Sequence, residues 1–267
     1  MPTTTDTTWL RRYHSAPEAA ARLVCFPYAG GAASFYHPVS AALAPDVDVL
    51  ALQLPGRQDR RGDPCVDDLA TMADLVADVL RGHTDLPLGF FGHSMGAVLA
   101  FEVARRLVEA GGGPDFLMVS GRRAPSRRRP GRVHLMDDEG LVDELRRNGA
   151  TDPRVLDDEE LRHMVLRSVR NDYRAIETYV CDEGAVVPCP VHVLTGQSDP
   201  QTTLDEARAW EEHTESTCTV QEFSGGHFFL TGHVETINGL IRDAFTKSGR
   251  AAGATVPDRG PSAPRRL

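Results

Sequence analysis

The chain has 267 residues, 41% of them hydrophobic and 25% charged, which is enough apolar material for one large core, and its formal net charge is -9. An acidic balance of this size argues against an electrostatic grip on nucleic acid or anionic lipid. No stretch approaches the run of about 18 apolar residues that a membrane span requires, and the opening MPTTTDTTWL lacks the apolar segment of a secretory leader, so no membrane contact and a cytoplasmic location are expected.

In chain order, residues 23–26 and 47–54 predict two strands, 66–81 a helix, 88–91 a strand, 95–110 a helix and 116–119 a strand. After a long interval come a strand at 191–194, a helix at 203–212, a strand at 219–223 and a helix at 234–246. Most of the strands are apolar enough to be buried on both faces, and their alternation with helices predicts a doubly wound α/β sheet, mostly parallel, with right-handed crossovers. The interval before 191 is much longer than one crossover helix needs. Within it, helix-like stretches at 137–147 and 157–173 flank Asn148-Gly149 and Asp152-Pro153 turn signals, so residues 122–180 predict a helical lid over the C-terminal edge of the sheet. Residues 1–246 are expected to form one domain including this insertion, and 247–267, rich in Gly, Ala, Pro, Ser and Arg, a disordered tail. Cys25, Cys65, Cys181, Cys189 and Cys218 are scattered with no C-x-x-C pair, so no disulfide framework, metal or cofactor is expected.

Gly92-His93-Ser94-Met95-Gly96 joins the strand at 88–91 to the helix at 95–110. A serine on such a strand-to-helix turn stands clear of the sheet, with the N–H of the next residue and the helix dipole beside a carbonyl under attack. Ser94 is therefore the candidate nucleophile and Met95 a candidate oxyanion donor. His93, adjacent in a tight turn, is expected to pack beneath it. A serine hydroxyl needs a histidine base, and the histidine a carboxylate, both following the serine in this arrangement. Asp199 lies just past the strand at 191–194 and His227 past the strand at 219–223, behind two glycines. His192 lies within a strand, His213 ends a helix and His233 begins one; Asp205 suits a helix N-terminus, and the loop at 120–125 has no carboxylate. The loop Phe26-Pro27-Tyr28-Ala29-Gly30-Gly31-Ala32 either completes the oxyanion hole through the Ala29 N–H or is a glycine-rich turn without that duty.

Five ordered blocks, CFPYAGGAASF at 25–35, QLPGR at 53–57, GHSMGA at 92–97, SGRRAP at 120–125 and GGHFFL at 225–230, resemble the type II thioesterases that accompany polyketide and nonribosomal peptide synthetases, members of the α/β-hydrolase superfamily. The resemblance runs from about Trp9 to Phe245. It implies an α/β-hydrolase fold, the triad Ser94, Asp199 and His227, oxyanion donors Ala29 and Met95, a mobile lid, and hydrolysis of stalled acyl groups from the phosphopantetheine arm of an acyl or peptidyl carrier protein. A monomer is the default state. Arg122, Arg123, Arg127, Arg128, Arg129 and Arg132 form the one basic cluster, suiting either an acidic carrier or a solvated loop. A general carboxylesterase or lipase, and a non-catalytic binding protein of the same fold, are the alternatives.

Overall fold

The computed structural model describes residues 8–149, 151 and 153–248. The turn residue Asp152 and the tail from residue 249 lie outside the described residues. Seven strands form one sheet: β1 (Leu10–Arg11), β2 (Ala21–Phe26), β3 (Val47–Leu52), β4 (Leu88–His93), β5 (Phe116–Ser120), β6 (Val191–Gly196) and β7 (Cys218–Phe223), in spatial order β1-β3-β2-β4-β5-β6-β7. Every pairing is parallel except β1 with β3. The apolar runs dictate this arrangement: β2, β3, β4 and β5 are buried throughout, whereas β7, at the edge, exposes alternate residues.

Helices cover both faces. On one side α2 (Leu69–Leu80) and α3 (Met95–Glu109) enclose a core built around Phe26, Phe90, Phe101 and Trp210. On the other, α1 (His37–Leu43) and α8 (Val234–Lys247) pack over Leu23, Phe91, Phe116 and Ile241. Between β5 and β6 the insertion supplies α4 (Asp138–Asn148), α5 (Pro153–Asp157) and α6 (Glu159–Thr178). Local chemistry fixes their ends: Asp137 and Asp158 cap α4 and α6 by accepting from Gly140 N and Leu161 N, and Gly149, at φ 67°, terminates α4 in the left-handed conformation. Leu141, Val142, Leu145, Leu156, Leu166 and Val169 form a third, separate apolar cluster, while Ala175 and Ile176 near the end of α6 belong to the main core.

Several boundaries differ from expectation. β1 and α1 were not expected, and the helix expected at 157–173 is two, α5 and the longer α6. The helix expected at 66–81 begins at Leu69 because Asp68 accepts from Thr71 N as its cap. That expected at 203–212 becomes α7 (Leu204–Arg208) followed by a 3-10 segment, Ala209–His213. No helix among the described residues is long and apolar enough to cross a membrane, and they hold no cluster of three metal-ligating side chains.

Candidate active site

Parallel pairing sends the C-terminal ends of β2, β4, β6 and β7 to one edge, so the loops that follow them converge there. Ser94 follows β4 directly and occupies φ 55°, ψ -118°, a conformation that costs a non-glycine residue about 1–3 kcal/mol. Its N–H is held by Ser120 O at 2.8 Å. Both glycines of the motif are demanded by close approach: a Cβ on Gly92 would lie 2.2 Å from Gly96 O, and one on Gly96 would lie 2.1 Å from Phe26 O. The first turn of α3 is therefore pressed against the end of β2, next to the loop bearing Ala29. As the first residue of α3, Met95 carries an N–H that has no intrahelical acceptor.

Asp199 lies three residues beyond β6 and His227 four beyond β7, and the two meet in a buried hydrogen bond, His227 Nδ1 to Asp199 Oδ2 at 2.9 Å. The second carboxylate oxygen accepts from Gln201 N at 2.8 Å, which fixes the carboxylate plane. A Cβ placed on Gly121, the residue after Ser120, would lie 3.4 Å from His227 Cε1, so the imidazole stands over the loop that anchors Ser94. Among the described residues the one hydrogen bond of the His227 ring runs to Asp199. A serine–histidine bond commonly tightens only in the substrate complex.

His93 packs beneath the turn, as expected. Its ring lies 4.9 Å from that of His227 and 5.1 Å from Phe228, and Nδ1 is 3.1 Å from Ser120 Oγ. Burial, reinforced by His227, drives its pKa well below the usual histidine value, so the ring stays neutral. Asp205 sits in the first turn of α7 behind the Thr203–Glu206 capping box. His192 lies in β6, and His213 closes the 3-10 segment with Nδ1 on Ala185 O.

The arginine cluster is largely committed to its own chain. Arg127 pairs with Glu212, Arg129 with Glu206 at 2.6 Å, and Arg123 donates to Gln201 O. Burial, with Arg123 beside it, pushes Arg122 down to about 9. An open cavity of about 770 Å³ lies instead beside His227, bounded by the 224–229 loop and by Arg146, Arg147 and Asn148 at the end of α4.

Sequence reasoning missed one pair. Asp172 on α6, fully buried, accepts from Arg57 Nη1 and Nη2, each at 2.8 Å, and from Gly30 N at 2.7 Å. The available signal was a carboxylate inside an apolar stripe, three residues after Val169 and four before Ile176.

Comparison with known proteins places this geometry. The family described as "Thioesterase domain" matches residues 21–245. The chain belongs to the thioesterase family. The thioesterase is 52% identical over 255 residues to the "Probable cadicidin biosynthesis thioesterase" of Streptomyces griseus, across 94% of this chain and 71% of that one. It is 43% identical over 250 residues to Thioesterase PikA5 of Streptomyces venezuelae, across 93% and 89%. Among solved structures it resembles the type II thioesterase BorB from the borrelidin biosynthetic cluster, with a TM-score of 0.84 and 51% identity over 89% of this chain and 97% of that one. It also resembles YbtT, described as the type II thioesterase from the yersiniabactin NRPS/PKS pathway, with a TM-score of 0.81 and 27% identity over 90% and 99%. The fold is that of the α/β-hydrolases, and the enzyme is a hydrolase acting on thioesters.

Proposed function

We propose that this thioesterase serves a polyketide or nonribosomal peptide synthetase as an editing enzyme, clearing stalled or aberrant acyl groups from the phosphopantetheine arm of its carrier proteins. The likeness to BorB and YbtT over almost their whole length carries the reading. Residues 1–246 are taken as the catalytic domain, with 122–180 as its lid.

The chemistry follows from the residues at the carboxyl edge. His227 Nε2 takes the Ser94 proton as Oγ attacks the thioester carbonyl, and the carbon–oxygen double bond opens to an oxyanion. Asp199, fixed by Gln201 N, orients the ring and stabilises its cation. The N–H groups of Met95 and Ala29 receive the oxyanion. Collapse breaks the carbon–sulfur bond, His227 returns the proton to the departing thiol, and water repeats the sequence on the acyl-serine. A thioester carbonyl is already activated, so a loosely fitting pocket suffices for varied acyl groups.

The test is mass spectrometry of carrier proteins loaded with acetyl, propionyl, butyryl and longer acyl chains, before and after incubation with enzyme. Unloading is expected with the parent enzyme, and Ser94→Ala is expected to lose about 10⁶-fold in kcat while remaining folded. Turnover by that variant would end the nucleophile assignment. Strong preference for a plain nitrophenyl ester over acyl-carrier protein would end the carrier assignment.

A further inference from the structure

The loop after β2 carries little hydrophobic anchorage of its own at residues 29–31, yet it is fastened at three points. Gly31 N donates to Tyr28 O at 2.8 Å, Gly31 O accepts from Arg57 Nη1 at 2.8 Å, and Gly30 N donates to Asp172 Oδ2 at 2.7 Å. Two of these fastenings run through the buried Arg57–Asp172 pair, and Asp172 belongs to the lid helix α6. The contact is close: Gly30 has φ +79°, and a Cβ there would lie 2.4 Å from Val169 Cγ2, one turn before Asp172. A buried ion pair is weak evidence for a stabilising role, because isosteric apolar residues often serve as well. Here the carboxylate also holds a backbone N–H next to Ala29.

We propose that Asp172 and Arg57 are positioning residues for the oxyanion hole, clamping the 28–31 loop to α6 so that the Ala29 N–H is aimed only while the lid helix is seated. The inference rests on the catalytic reading above. It makes the lid a part of transition-state stabilisation as well as a cover. Since the loop touches the developing charge and not the leaving arm, loss of the clamp lowers kcat more than it raises KM.

The experiment compares Asp172→Asn with the double variant Arg57→Met, Asp172→Leu. The first leaves the guanidinium buried without its counter-charge and lowers Tm. The second removes both charges and recovers Tm. Both are expected to lower kcat on an acyl-CoA about 10- to 100-fold, as a donor misplaced by about an ångström does, with KM within about threefold. The Ki of an acyl trifluoromethyl ketone, which forms a tetrahedral adduct on serine, is expected to rise in proportion to the loss in kcat. A double variant with recovered Tm and parental kcat and Ki would overturn the proposal, since packing alone would then explain the pair. If neither variant folds, Arg57→Lys, which keeps the charge balance but cannot bridge both carboxylate oxygens and Gly31 O, is read by the same ratios. Turnover by Ser94→Ala would overturn the underlying reading; loss of turnover there with parental kinetics in the clamp variants would overturn this inference alone.

Discussion

Gly96→Ala places a methyl group where α3 meets the end of β2. Its carbon would lie 2.1 Å from Phe26 O, 2.6 Å from Phe26 C and 2.7 Å from Pro27 O, the closest about 1.3 Å short of the 3.4 Å at which ordinary contact begins. These obstacles are backbone atoms and cannot rotate away. Phe26 is fully buried, its carbonyl accepts from Tyr36 Oη at 2.6 Å, and its strand is paired with both β3 and β4. Relief therefore requires α3 and the 26–27 backbone to separate by about an ångström, which as overpacking costs about 1–3 kcal/mol. Alanine otherwise gains about 1 kcal/mol over glycine inside a helix, so the net loss understates the clash. The same displacement draws Met95 away from Ala29, and an error of this size costs about 10²-fold in kcat. Urea unfolding and steady-state hydrolysis of an acyl-CoA measure the two effects. Stability within about 0.5 kcal/mol of the parent, together with kcat within about threefold, would refute the argument that the two glycines bring the proposed oxyanion donors together.

Asp199→Asn keeps the shape of the side chain but can present an N–H to His227 Nδ1, favouring the tautomer whose Nε2 already carries a proton; kcat on an acyl-CoA is expected to fall about 10³- to 10⁴-fold with little change in Tm, and a loss below tenfold would remove Asp199 from the triad. His93 predicts a pH dependence of stability. Its folded pKa is depressed by burial and by His227, so below about 6.5 the unfolded chain binds a proton that the folded one refuses, and the stability present above that pH is lost as pH falls. Between pH 7.5 and 5.5 that loss is about 1.4 kcal/mol. Denaturant titrations at the two pH values are expected to show a difference smaller by that amount in His93→Asn, since His192 and His213, also depressed by burial, contribute equally to both proteins. An unchanged difference would mean that His93 titrates normally in the folded protein.

The parts of the site that were legible in the sequence are those fixed by local chain order. Ser94, Asp199 and His227 each follow an apolar strand within four residues, and parallel pairing carries such loops to one edge whatever their distance in sequence. What escaped depends on tertiary partners. β1 is two residues long, pairing Leu10 with Leu52 and Arg11 with Ala51, too short for a periodic signal. The helix expected at 203–212 tightens after Arg208 where Trp210 Nε1 reaches Arg122 O and His213 reaches Ala185 O, bonds to segments 88 and 28 residues away. Arg57 and Asp172 are 115 residues apart, and the QLPGR block gave Arg57 a place in a family pattern without saying what it touches.

Helix α6 has a mechanical character that follows from where its ends are rooted. Ala175 and Ile176 are embedded in the main core, while Leu166 and Val169 belong to the separate lid cluster, so the helix is a lever with its fulcrum near its C-terminal end. At 1.5 Å per residue, Glu159 lies about 24 Å from Ala175 and Asp172 about 4.5 Å from it. A tilt of about 20° that sweeps the tip through roughly 8 Å would shift Asp172 by only about 1.6 Å. A displacement that small is still enough to part a 2.7 Å bond to Gly30. The long arm can thus admit bulky groups while the short arm registers the movement as the making or breaking of a single contact.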